Sequence, residues 1–286
     1  MEWYHFIILF AVAFVAGAMN SVAGGGTLLT FPALLWAGHG AHFVDFTKFA
    51  NATSTVALWP AALGSFWGYR GELPSNRRET LLLALPSLLG GLIGALLLTR
   101  TADATFARLV PWLILLSTML FVLQTPLAKL RQRWTERNRA LLKNEPTDQS
   151  TAHELPDTQA TTARWGTILT FQFMLSIYGG YFGAGIGILM LAAFSWLGFT
   201  NIHHMNALKN LNGMFINGVA ATMFIYQGLV HWPIALVMGT GAIAGGFAGA
   251  GIAKKIGQVW VRRTVIMIGF SLTAIMLLEQ WLSPTQ

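Results

Sequence analysis

Cysteine is absent from this chain and charge is scarce. Without cysteine there are no disulfides, no thiol nucleophile and no thiolate metal site. Asp, Glu, Lys and Arg make up 10% of the 286 residues, against about 25% in a soluble domain. Acids are the scarcer sign, 11 against 18 Lys and Arg, which leaves a formal charge of +7. That excess does not point to nucleic acid, because the cations lie mostly in loops beside apolar stretches and no binding motif accompanies them. A basic leader is also missing. Met1-Glu2-Trp3-Tyr4-His5 carries an acid, and no small-residue cleavage pattern precedes the first Gly-rich stretch, so the first apolar segment is expected to remain. Gly183-x-Gly185-x-Gly187 lacks both a βαβ setting and a Walker continuation, which excludes an ATPase module. No Ser-His or Asp-pair motif at helical spacing supports an enzyme.

What is abundant is apolar sequence: 54% of the residues, with a mean hydropathy of +0.55. Apolar stretches fall near 4–21, 26–38, 46–68, 80–99 and 106–126, then near 165–182, 186–198, 205–226, 231–253 and 260–282. These lengths predict an all-α polytopic membrane protein with about 8–10 membrane segments. The expected organisation is a membrane repeat over 1–126, a charged connector over 127–163 and a second membrane repeat over 164–286.

Internal duplication carries the reading further. Ala23-Gly24-Gly25-Gly26-Thr27-Leu28-Leu29 is answered 161 positions later by Ala184-Gly185-Ile186-Gly187-Ile188-Leu189-Met190, and Lys48 and Asn51 are answered by Lys209 and Asn212 at the same offset. Gly90-Gly91-Leu92-Ile93-Gly94-Ala95 is matched with Gly245-Gly246-Phe247-Ala248-Gly249-Ala250, small-residue patterns that let helices approach closely in lipid. If each Gly-rich break reverses the chain, by a re-entrant hairpin or by two crossings, the Lys and Arg outside the two Lys-x-x-Asn tetrads divide 14 to 2 between the faces. If each broken segment is one crossing, giving eight spans, the split is 10 to 6. The positive-inside rule favours the first, with the connector cytoplasmic, both termini outside and the two repeats inverted.

Paired breaks point to a transport site, since an interrupted helix exposes backbone groups that need a ligand, water or protein partner inside a bilayer. Gly24, Gly25, Gly26 and Thr27, and Gly185 and Gly187, mark two half-helix starts able to hold an anion. Lys48 and Asn51 share a helix face, as do Lys209 and Asn212. A cation facing lipid is costly, so both lysines are expected to point inward. Thr53, Ser54 and Thr55 add hydroxyls, and Asn206, Asn210 and Asn217 add amides. Lys48 has a second reading, an ion pair with Asp45 three residues away, whereas Lys209 has no acid near it in sequence. Asp45 is also the candidate for proton coupling. His39, His42, His203 and His204 have too little carboxylate company for a metal site, and no cofactor is expected.

At these residues the chain resembles the sulfite exporter TauE/SafE family over about residues 5–126 and 164–282. Gly24-Gly25-Gly26 followed by Pro32 is similar to the family's first-repeat pattern, and Ala207-Leu208-Lys209-Asn210-Leu211 is also similar. The second break departs from it, with Ile186 between its glycines and Ala193 where a proline would sit. The resemblance implies transport of sulfite, sulfonates or related organic anions across the cytoplasmic (inner) membrane. The expected protein is therefore a secondary anion transporter working by alternating access. Its partners are a small anion and the lipid bilayer, and a homo-oligomer is compatible with this reading. An anion channel or a non-transport assembly protein is the alternative.

Overall fold

The computed structural model describes residues 2–22, 25–38, 43–73, 77–120, 122–123, 162–196, 199, 201–256 and 258–282. The connector expected at 127–163 lies almost wholly outside these residues, as do Gly24, His39 and His42. Among the described residues all regular structure is helical: α1 (Trp3–Val22), α2 (Thr27–Ala37), α3 (Phe43–Tyr69), a 3₁₀ turn (Arg70–Glu72), α4 (Arg77–Arg100), α5 (Asp103–Leu120), α6 (Thr162–Tyr181), α7 (Ile186–Trp196), α8 (Ile202–Tyr226), α9 (Trp232–Ile256) and α10 (Gln258–Leu282).

Length separates these helices into two kinds. α2 and α7 have 11 residues each, ~16 Å at the α-helical rise, about half of the ~30 Å hydrocarbon layer. α1 and α6, with 20 residues each, can each reach across it alone. Trp3–Asn20, Thr80–Arg100 and Asp103–Leu120 are long and apolar enough to cross a membrane by composition. Lys48 and Asn51 in α3, and Lys209, Asn210 and Asn212 in α8, lower the apolarity of those two helices, and all five side chains are buried. The outer surface is the reverse. Leu81, Leu85 and Leu89 of α4 and Trp112 and Leu116 of α5 are exposed, an apolar surface suited to lipid and too extensive for a soluble monomer.

The chain reverses at the first Gly-rich break. The His5 ring at the start of α1 lies 5.1 Å, centroid to centroid, from Trp36 at the end of α2, while Gly26 sits against Ala16 and Asn20 near the other end of α1. α3 reverses again, since Gly38 meets Phe46 and Thr30 meets Ser54. α1 and α3 therefore point the same way. α9 runs with them: Gly241 packs on Phe10 and Gly245 on Phe14 of α1. α4 and α6 run together as well, through Gly90 on Phe173 and Gly94 on Ile177, and α8 runs with α4 through Ser87 on Asn212 and Gly91 on Ile216. Only residues 227–231 join α8 to α9. Five residues stretch less than about 18 Å, too short to return along a helix of ~37 Å, so α9 runs opposite to α8.

Exchanging the halves leaves this packing unchanged: α1 on α9 corresponds to α6 on α4, and α3 on α9 to α8 on α4, while α3 and α8 meet each other. The close pairs need glycine because backbones touch. A methyl group on Gly17 would collide with the Ala242 carbonyl, and one on Gly180 with the Gly91 carbonyl. These contacts correct the sequence register. Gly90 and Gly94 do the work of Gly241 and Gly245, one helical turn before the glycines that sequence similarity aligns with them. Spacing alone could not separate the two registers, because α9 repeats small residues every four positions through this stretch.

Candidate functional site

The two breaks are closed by different chemistry. Gly25 takes φ of 95°, a conformation open to glycine, and the Gly26 N–H donates to the Asn20 side-chain oxygen at 2.9 Å. In the second half Gly183 and Gly185 take φ of 74° and 75°. There the buried carbonyl of Ala184 accepts from Tyr178 at 2.7 Å and from Ser117 of α5 at 3.0 Å. In each reversal a side chain satisfies a backbone group that the break frees, as a bilayer interior requires. The reversals bring the starts of α2 and α7 to one cavity; the Leu28, Leu29, Ile186 and Ile188 N–H groups already bond the Gly25, Gly26, Gly183 and Gly185 carbonyls, so the helix starts act on the cavity mainly through their dipoles.

That cavity has a volume of about 60 Å³ and is walled by α2, α3, α7 and α8, with Asn20 contributing from α1. On this scale one water needs about 10–15 Å³, so the space takes an ion of a few atoms. Gly25 and Thr27 line it from the first break, and Gly183, Ile186 and Gly187 from the second. α3 adds Thr55 and Ser65, whose hydroxyls already donate to the Asn51 and Ala61 carbonyls. α8 adds Lys209, Asn210, Gly213 and Asn217. A methyl group on Gly213 would touch nothing within 4 Å, so the missing side chain is open space.

Lys209 is 4% exposed and its ammonium group has no hydrogen-bond partner. The Asn210 amide nitrogen is likewise buried and without a partner. Among the described residues no Asp or Glu lines the cavity. A buried cation without a counter-ion is costly in any apolar setting, and here free donors and two helix starts share a space of small-anion size. The arrangement is complementary to an oxyanion.

The other sequence candidates sit elsewhere. Lys48, at the position in α3 that Lys209 occupies in α8, is outside the cavity lining; its ammonium pairs with Asp103 at 2.9 Å and donates to the Thr101 carbonyl. Asn51 donates to the Tyr181 carbonyl at 3.2 Å, and Asn212 accepts from Ser87 at 3.1 Å. Both are buried between helices, outside the lining. Gly26 and Gly185 shape the breaks without lining the cavity, and the side chain of Asp45 lies outside the described residues. Sequence reasoning overlooked Asn20, Ser65, Gly213 and Asp103. Asn20 alone left a signal, a lone amide shortly before the Gly-rich break.

The sulfite exporter TauE/SafE family profile matches residues 9–276. The chain belongs to this family. It is 29% identical over 96% of its length to a probable membrane transporter protein of Haemophilus influenzae, covering 94% of that protein. It is 26% identical to the probable membrane transporter protein ORF9 of a Sinorhizobium species, over 92% of this chain and 89% of that one. It is also 26% identical to the probable membrane transporter protein YfcA of Escherichia coli, over 95% and 89%. No solved structure matches the chain. With the helical fold and its apolar outer face, the family makes this a polytopic membrane transporter.

Proposed function

We propose that the protein is a secondary transporter of small anions, sulfite, sulfonates or related organic anions among them, working by alternating access in a cytoplasmic membrane. One observation carries the reading: the buried ammonium of Lys209, unpartnered among the described residues, in a cavity that no described Asp or Glu lines, at the meeting point of two half-helix starts. The cavity volume favours the smaller members of that group, because an anion of four or five heavy atoms fills it. The opposed directions of α3 and α8, and of α4 and α9, support two repeats inverted across the membrane, the plan of many carriers with a central site. The 14-to-2 division of cations supports a cytoplasmic connector and external termini.

Purified protein in liposomes tests the function. A carrier takes up labelled sulfite with saturation, and unlabelled sulfite trapped inside accelerates that uptake. Flux that rises linearly with concentration and ignores trapped anion is the behaviour of a pore and overturns the alternating-access reading. No flux of any tested anion, with folded protein in the membrane, overturns the anion assignment.

A further inference from the structure

The two equivalent lysines are in opposite states. Lys209 has no partner and faces the cavity, whereas Lys48 is held by the Asp103 carboxylate and the Thr101 carbonyl. Thr101 and Asp103 lie in the link from α4 to α5 and at the start of α5, so the pair ties the beginning of α3 to another part of the bundle. The same tie continues into α6. The Tyr181 hydroxyl reaches Thr101 at 3.4 Å, and Asn51, one turn after Lys48, donates to the Tyr181 backbone carbonyl.

Next to these contacts, sharing Tyr181 with them, lies an aromatic plug. Phe182 packs edge-on against Phe31 at 5.4 Å and Phe106 at 6.4 Å, and Phe106 packs against Tyr181 at 5.7 Å. Phe31, Phe106 and Phe182 are buried, and Phe182 immediately precedes Gly183 of the cavity wall. These buried rings and the Lys48–Asp103 ion pair lie between the cavity residues of α3, Thr55 to Ser65, and the start of that helix. The fastening is reachable from outside, because the Asp103 side chain is 47% exposed. A carboxylate on a lysine ammonium makes the same charge-assisted contact that an oxyanion makes.

We propose that Asp103 is a built-in anion for Lys48: its carboxylate occupies the first-half cation and latches the aromatic plug shut while the Lys209 cavity is open to its own anion. Release of Lys48 from Asp103 opens the opposite face. This rests on the transport reading above, but its test needs neither transport nor a bound anion.

The absence of cysteine makes the test direct. A single reporter, Gly213→Cys, adds a thiol in the open part of the cavity, and a membrane-impermeant maleimide is applied from either face of oriented vesicles. With Asp103 intact, the thiol should react poorly from the face bearing the starts of α1 and α3. Asp103→Ala should raise labelling from that face by about fivefold or more, and Asp103→Glu should leave it low. Should Asp103→Ala fail to fold, Lys48→Met combined with Asp103→Asn leaves no lone buried charge and should open the same face. Unchanged labelling from that face in a folded variant lacking the pair, or equal opening in Asp103→Glu, overturns the proposal. A failed latch leaves the liposome assay untouched, whereas a failed transport reading appears there and not in the labelling.

Discussion

Replacing Lys209 by Met tests the site through two effects of opposite sign. Met keeps the length of the side chain and removes its charge. In the parent the ammonium group is buried, with no partner and no carboxylate in the cavity wall among the described residues. Without anion, the substitution removes an uncompensated buried cation and should raise stability by about 1 kcal/mol or more. With anion, it removes a charge-assisted hydrogen bond. Such bonds contribute about 1.5–3 kcal/mol, so affinity for sulfite should fall roughly ten- to hundredfold. Thermal unfolding of detergent-solubilised protein, titrated with sulfite at fixed ionic strength and pH, reads both effects. The variant should start at a higher melting temperature and gain little from sulfite, while the parent starts lower and gains more. A variant that melts lower without anion and is stabilised by sulfite as strongly as the parent would refute the reasoning, because Lys209 would then be held by something other than the anion.

Lys48→Met should reduce anion affinity less than Lys209→Met in the same titration, because Asp103 already neutralises Lys48. Gly213→Leu should abolish sulfite-dependent stabilisation while the protein stays monodisperse on gel filtration, since its side chain enters open space; retained stabilisation would move the anion out of this cavity. Gly245→Ala should instead lower the yield of folded protein, because even a methyl group there runs into the Phe14 carbonyl at the α1–α9 contact. Reporter fusions at Gln286 and near Gln149 should read outside and cytoplasm respectively; a cytoplasmic Gln286 would overturn the assigned orientation.

Much of the architecture was legible because duplication left it written twice. The Gly-rich breaks and the Lys-x-x-Asn tetrads recur at one offset, and the structure has a half-helix after each break and a lysine-bearing inner helix after that. Lys209 could be singled out because an apolar helix with a cation and no nearby acid has few alternatives. Lys48 could not be resolved in the same way. Its partner Asp103 is 55 positions away, and a reading confined to local spacing found Asp45 instead. The register of α9 was hidden for a related reason. When small residues repeat every turn, pattern matching offers several equivalent alignments, and only the partner helix selects one. The asymmetry between the two lysines was legible in part: an ion pair for Lys48 and none for Lys209 could be read from the sequence, but with Asp45 in place of Asp103 as the acid.

The glycine contacts of α1 with α9 and of α6 with α4 cross between the halves, so each half lends its fourth helix to the other. The two halves are thus interlocked like clasped hands, and turning one bodily against the other would pull Gly17 from Ala242 and Gly180 from Gly91. Whatever conformational freedom the protein uses has to come from within that frame. The short helices α2 and α7, which carry both half-helix starts, stand outside these inter-half contacts. The same interlocking has a consequence for dissection: either half expressed alone would leave the glycine face of its fourth helix without the partner it packs on here.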